Sequence, residues 1–424
     1  MNKRPFSTRP GYVQSIRGLH RLHALFSNNQ NETPEADVVR DSLTPLWYEL
    51  SEIEKERIGG LSEDLYSISD PPEPVLPMNP QAQRNLIEAF EARNIGEWDK
   101  ALEMLRRWKR HLDPALLSYM RGSVWHAAGD ESTAALFFQH ASHLEPENGN
   151  YRALYLHCLQ KSDRESALTL AREILFTEEA PQPAVEAMAA DVLFESTRDL
   201  ADVDALPIVQ RVTQRLSQAF ERLQNHGDDV SSSLKSAYLG IVSLLGGCHF
   251  QLGETQRALK YYNLGLAADP ENSSLLMARG VARYGLEAGA AEDFQQAIRQ
   301  GSAQVVPYFY LSHHHLVSDR FEECRSMCER ALNFSASDEV RGCLNEWLAI
   351  SMFELGFPRD LVRSKFEEAT RLAPDNQRIQ QNFELFGKTS AQHDWSMPGI
   401  TSVKAILPFR LPPILPPGDF RVAA

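Results

Sequence analysis

Long apolar runs are missing from this 424-residue chain: nothing approaches the roughly 18 to 20 apolar residues that a membrane-spanning helix needs. Cysteine is scarce, with five in the whole sequence, too few for a disulfide framework. The chain is therefore expected in a reducing compartment, the cytoplasm by default. Positive charge is in deficit, 43 Lys and Arg against 57 Asp and Glu, for a net charge of −14. A protein that tracks a phosphate backbone needs a basic face, so nucleic acid is not an expected partner. The signatures of catalysis are missing too. The sequence contains no G-x-x-x-x-G-K-[ST], no G-x-G-x-x-G after a strand pattern, no H-E-x-x-H and no G-x-S-x-G. Nothing pairs two carboxylates across a foreseeable cleft, so acid–base chemistry has no visible support. No enzyme activity, cofactor or metal is expected.

Charge is unevenly placed at the start. Residues 1–31 carry Lys3, Arg4, Arg9, Arg17 and Arg21 with no acid, whereas residues 32–80 carry twelve acids against three bases. The opening lacks the apolar stretch of a secretory signal, although an Arg-rich, acid-free start also resembles an organelle transit peptide. Residues 1–36 read as a flexible basic arm, within which Ile16, Leu19, His23 and Phe26 have the spacing of a short amphipathic helix. Residues 37–70 read as helical, with an apolar stripe through Leu43, Leu46, Trp47, Leu50, Ile53, Leu61 and Leu65, broken at Gly59-Gly60. Five prolines in residues 71–80 mark an extended linker.

Residues 81–387 carry an internal ruler. From Gly129, steps of five, four, three and five residues reach Ala134, Phe138, Ala141 and Pro146. From Gly253 the same steps reach Ala258, Tyr262, Gly265 and Pro270. Weaker copies start at Gly96, Ser162, Gly285, Asp319 and, with one extra residue, Gly356. A period of roughly 34 residues suits an antiparallel helix pair. The glycine fits a turn of positive φ, the alanine lets two helices approach, the ring fills space between hairpins, and the proline ends the unit. Between Ser162 and Gly253 the ruler fails. One long, divergent hairpin is expected at about 181–228, with helices near 183–196 and 206–225 and Pro207 in the second one's first turn. Arg378 to Phe386 reads as a capping helix, and residues 388–424 as a Pro-rich apolar tail.

This spacing resembles the tetratricopeptide repeat (TPR) over roughly residues 82–386. The resemblance implies an all-α, right-handed superhelical solenoid of antiparallel helix pairs, and a non-enzymatic scaffold that binds a peptide or protein segment in its concave groove. A regulatory or assembly subunit docked on an enzyme complex is the alternative. Steps of ten, six and three residues before each turn would line the groove: Leu86, Phe90 and Arg93; Tyr119, Ser123 and His126; Arg152, Leu156 and Leu159; Phe309, His313 and Leu316. Aromatic and Arg side chains make good interface anchors. The Lys–Asn pair of chaperone-binding repeats is absent from these steps, so that sub-type is not expected. His313-His314-His315 and the Cys324/Cys328 pair read as packing residues, because neighbouring helical side chains diverge by about 100° and buried Cys behaves as a small hydrophobe. The apolar tail is expected to dock on the array as a built-in plug.

Overall fold

In a computed structural model, described for residues 6, 8–69, 74–224, 232–284 and 289–388, the chain is all-α. It forms two compact units. The first holds the described residues up to Leu193 with 232–237, and the second holds residues 194–224 with Tyr238 onward. The Pro-rich tail, the polar break at 225–229 and Gly285 lie outside the described residues.

The first unit opens with α1 (Pro10–Ser27), α2 (Pro34–Glu49) and α3 (Glu52–Ser69). The basic arm is thus a docked helix. Tyr12, Ile16 and Leu25 are buried, and ahead of them Phe6 packs between Trp98 and Trp125 beneath the Arg57 guanidinium. Apolar burial outweighs the local charge excess that made an arm seem apt. The break in the acidic segment falls at Leu50-Ser51, and α3 runs through Gly59-Gly60. Gly60 is where Arg106 crosses α3: a Cβ there would lie 2.3 Å from the guanidinium. Beyond the linker, whose Leu76 N–H donates to the Arg110 carbonyl, come α4 (Pro80–Ile95) and α5 (Trp98–Arg107). Then follow α6 (Pro114–Ala127), α7 (Glu131–Leu144), α8 (Gly149–Ser162) and α9 (Arg164–Thr177). Asn79 and Asp113 cap the helices that Pro80 and Pro114 begin, an N-terminal arrangement that wastes no backbone donor.

Two helices fill the gap in the ruler, α10 (Pro183–Ser196) and α11 (Asp202–Gln224). The second starts earlier than its proline, and Pro207 sits inside it. Asp202 and Asp204 in its first turn favour the earlier start, through the helix dipole. The second unit continues through α12 (Ser232–Gln251), α13 (Thr255–Ala268), α14 (Ser273–Arg283), α15 (Ala290–Arg299), α16 (Val305–Leu316), α17 (Phe321–Ala331), α18 (Asp338–Glu354), α19 (Arg359–Leu372) and α20 (Gln377–Lys388).

The repeat positions do what their chemistry requires. Gly129 and Gly253 hold φ of 84° and 77° in their turns, where an L side chain is strained. Asp319 takes the same turn at φ 55°. Ser162 differs, being the last residue of α8, followed by a single linking residue, Asp163. The ring of each unit packs inside its own pair rather than only between pairs. A Cβ added at Gly122 would sit 2.9 Å from Phe138, one at Gly246 2.2 Å from Tyr262, and one at Gly280 2.8 Å from Phe294. The rule is a small residue on the first helix against a large one on the second, with the same sequence separation in α6/α7 and α12/α13. Ala89 and Leu105 stand at the same steps. The α8/α9 pair inverts it, with Tyr155 at the small step and Ala171 at the large one.

Two fully buried carboxylates tie α3 and α20 to their neighbours. Asp64 of α3 is fully buried, forms an ion pair with Arg121 of α6 at 2.7 Å and accepts from Arg106 of α5 at 3.2 Å. Glu346 of α18, also fully buried, pairs with Arg378 of α20 and accepts from Asn382 at 2.7 Å. Burial pushes both carboxyls above their ordinary range, against the pull of the guanidiniums.

Candidate functional site

Most residues of the foreseen groove are packed away. Leu86, Phe90, Tyr119, Ser123, Leu156, Phe309, His313 and Leu316 are all buried. Tyr119 lies against Phe138 and Tyr151, with ring centroids 6.1 and 5.2 Å apart. Phe309 packs on Trp347 at 4.7 Å, and His313 Nδ1 lies 2.6 Å from the Tyr284 hydroxyl. Arg93, His126, Arg152 and Leu159 stay half-exposed. Arg93 stacks over Phe90 at 5.3 Å and donates to the Ser123 carbonyl. The first helices of these pairs therefore touch one another through the very side chains that the ruler places on their shared face. Bulky Tyr, Phe and Leu at these steps close the space that smaller or charged residues would leave open.

One cleft stands out in the first unit. It has a volume of ≈ 800 Å³. Its floor is α8, through Arg152, Tyr155 and Leu159; its walls are α7, through Gln139 and His143, and α9, through Thr169, Leu170 and Glu173. This is where the size rule is inverted. Tyr155 lines the cleft, while Ala171 behind it is fully buried. Arg152 is held at one end by Glu178, with Nη1 3.0 Å from Oε2. The cleft thus offers an aromatic ring, aliphatic surface, a tethered cation and several hydroxyls and carboxylates, a mixture suited to an extended polypeptide. Only Arg152 and Leu159 among the foreseen residues belong to it. Tyr155 stands seven residues before its turn, a step outside the ten, six and three that the resemblance assigns to the groove.

The triple histidine is dispersed. His313 and His315 are buried and His314 is turned aside, so the three rings share no centre. Cys324 and Cys328 are fully buried, with Sγ atoms 4.0 Å apart on one helix. All five cysteines are free thiols. His140 is bonded to Ser118, at 2.7 Å from Nδ1 to Oγ.

A different set converges between α6, α7 and α8. His126 Nδ1, near the end of α6, lies 2.7 Å from Glu131 Oε2, at the start of α7, and 3.8 Å from the Cys158 Sγ of α8. The donor atoms of the three residues all lie within 4.8 Å of one another. Lys161 donates to the other oxygen, Glu131 Oε1, at 2.9 Å. Burial alone would raise the Glu131 carboxyl, but the bonds from His126 and Lys161 outweigh it and hold the group at about 2. The His157 ring packs edge-on to His126 at 5.7 Å, and burial, with Lys161 and His126 nearby, lowers it to about 4. Burial, and then the Glu131 charge, push the Cys158 thiol far up. No stretch of sequence announces the set, because its members stand on three different helices and meet only through helix pairing.

No family model and no curated protein matches the chain. Solved structures do. A tetratricopeptide repeat protein from Parabacteroides merdae is 16% identical, with a TM-score of 0.42 over 64% of this chain and 99% of that one. The C-terminal part of a TPR repeat-containing protein from Cytophaga hutchinsonii is 9% identical, with a TM-score of 0.33 over 70% and 98%. Both bear the name of the repeat that the ruler resembles. From the repeated ruler and the helix pairs built on it, the chain contains a TPR-like helical-repeat segment.

Proposed function

We propose that the protein is a non-enzymatic scaffold, acting in the cytoplasm, that recruits a protein through an extended segment laid in the α7–α8–α9 cleft. The observation that carries this reading is the inverted pair. Tyr155 stands on the floor of an open ≈ 800 Å³ cleft beside Arg152 and Leu159, where a regular unit has a small residue facing a large one. Buried groove positions such as Tyr119 and Phe309 support the stack, whereas Arg93, His126 and Arg152 are half-exposed and within a ligand's reach. The test is capture of partners from native lysate by the full chain and by Arg152→Glu and Tyr155→Ala. A partner held by the parent and lost from both variants, at unchanged thermal midpoint, supports the cleft; equal capture by all three contradicts it.

A second reading, a subunit docked permanently on an enzyme complex, draws on α2 and α3. Trp47, Tyr48 and Ile53 are exposed there, beside a groove lined by Leu19, Leu43 and Ile58. Clustered exposed aromatic and aliphatic surface of this kind marks an interface. It predicts an isolated chain that self-associates until Trp47→Ser and Tyr48→Ser are introduced.

The Pro-rich residues 388–424 are proposed as an in-chain competitor for the array, since their apolar, polyproline-like composition loses little entropy on docking. Removing them should then increase partner capture. Rapid cleavage after Arg410 with no such gain contradicts the plug.

A further inference from the structure

We propose that His126, Glu131 and Cys158 bind a single divalent transition-metal ion of the zinc class at the junction of α6, α7 and α8. An imidazole, a carboxylate and a thiolate are the three side-chain types that zinc prefers. Here three helices deliver one of each, with all donor atoms within 4.8 Å. A tetrahedral ion with bonds of about 2.0 to 2.3 Å needs ligand atoms roughly 3.3 to 3.7 Å apart. The Cys158 Sγ to His126 Nδ1 separation of 3.8 Å is already close to that. The 2.7 Å contact between His126 Nδ1 and Glu131 Oε2 has to open by roughly 0.6 Å as the ion takes the place of the proton between them, which passes through solvent to Nε2 and leaves the imidazole neutral.

The bland alternative is a histidine hydrogen-bonded to a helix-start glutamate. It accounts for His126 and Glu131, with Cys158 as core packing, but not for the approach of the thiol to the same imidazole nitrogen. That thiol is fully buried, and His126 Nδ1, already engaged by Glu131, lies 3.8 Å from it. On binding, the Cys158 thiol gives its proton to solvent and ligates as the thiolate. The dication is then held by one carboxylate and one thiolate, so the loaded centre is neutral. Lys161 occupies only Oε1 and leaves Oε2 for the metal, the outer partner that orients a ligating carboxylate. His126 and Glu131 are each about a fifth exposed, which gives the ion an entry path and leaves the fourth position to water. Because the ligands come from two adjacent pairs, the ion would staple α6/α7 to α8, beside the proposed cleft.

The test uses the full chain stripped with a chelator and titrated with Zn²⁺ against a chromophoric competitor, then with Co²⁺ in the absorption cell. The expected results are one ion per chain, a thiolate-to-cobalt charge-transfer band, and binding weakened by about 100-fold or more in Cys158→Ser and in Glu131→Gln. Glu131→Gln sits at the partly exposed edge and preserves shape, so it remains informative if the buried Cys158→Ser fails to fold. The proposal is overturned by the absence of saturable binding, by a cobalt complex without the thiolate band, or by Glu131→Gln that binds zinc as the parent does.

Discussion

Size-matched helix pairs and helices tied by buried ions are held by different physics. Inside the series, pairs such as α6/α7 and α12/α13 rest on size matching: Gly122 against Phe138, Gly246 against Tyr262. Elsewhere helices are tied by buried ions: Asp64 of α3 to Arg106 and Arg121, Asp293 of α15 to Arg279 of α14, and Glu346 of α18 to Arg378 of α20. A size-matched contact fills space with apolar shape, which is non-directional and repeats. A charge pair is directional and fixes register, at a desolvation cost that shape alone does not carry.

The comparison can be broken most forcefully at the buried ions. Asp64→Ala leaves Arg121, only 1% exposed, buried without its carboxylate. A loss of about 3–5 kcal/mol is expected from urea unfolding, and Glu346→Ala should behave alike. A loss under about 1 kcal/mol for both would show that the ions are incidental. Next come the interior contacts. Gly246→Leu drives a side chain into the Tyr262 ring, and Ala134→Trp or Ala258→Trp fills a fully buried contact. Each is expected to cost about 1–3 kcal/mol or more, read as a lowered thermal midpoint. Unchanged midpoints would dismiss size matching.

Smaller effects sharpen the account of the turns. Gly129→Ala, forced to a φ of 84°, should cost about 1–2 kcal/mol. The reverse exchange at the equivalent turn, Asp319→Gly, relieves a φ of 55° and is expected to be neutral or stabilising by under about 1 kcal/mol. A clear loss of stability there would mean that the Asp319 side chain holds its turn by some means other than backbone conformation.

Much of the array was legible because its constraints are local. The Gly129 and Gly253 rulers gave the turn, the buried alanine and the ring, and the spacing of Ile16, Leu19 and Phe26 announced α1 before its docking was known. The α10 helix also stands where the sequence put it, at 183–196. What stayed hidden depends on long-range placement. Gly59-Gly60 looks like a break until Arg106 is seen crossing it, and Arg121 occupies a core step that Asp64 and Ser67, far back in α3, make tolerable. The foreseen groove suffered most. Its residue types were read as anchors because they are aromatic, yet the same bulk lets Tyr119 and Phe309 close on neighbouring helices. The cleft at Tyr155 was signalled by an exchange of large and small residues, a pattern visible only once the Gly122–Phe138 contact shows which two steps face each other.

Size matching is tested most directly by a double-mutant cycle on Gly246 and Tyr262. Stability of the parent, Gly246→Leu, Tyr262→Ala and the double variant would be measured by urea unfolding. If the two residues meet as a small–large pair, removing the ring makes room for the new side chain. The double variant should then be more stable than the sum of the single effects predicts, by about 1 kcal/mol or more. Strict additivity of the two losses would contradict the account.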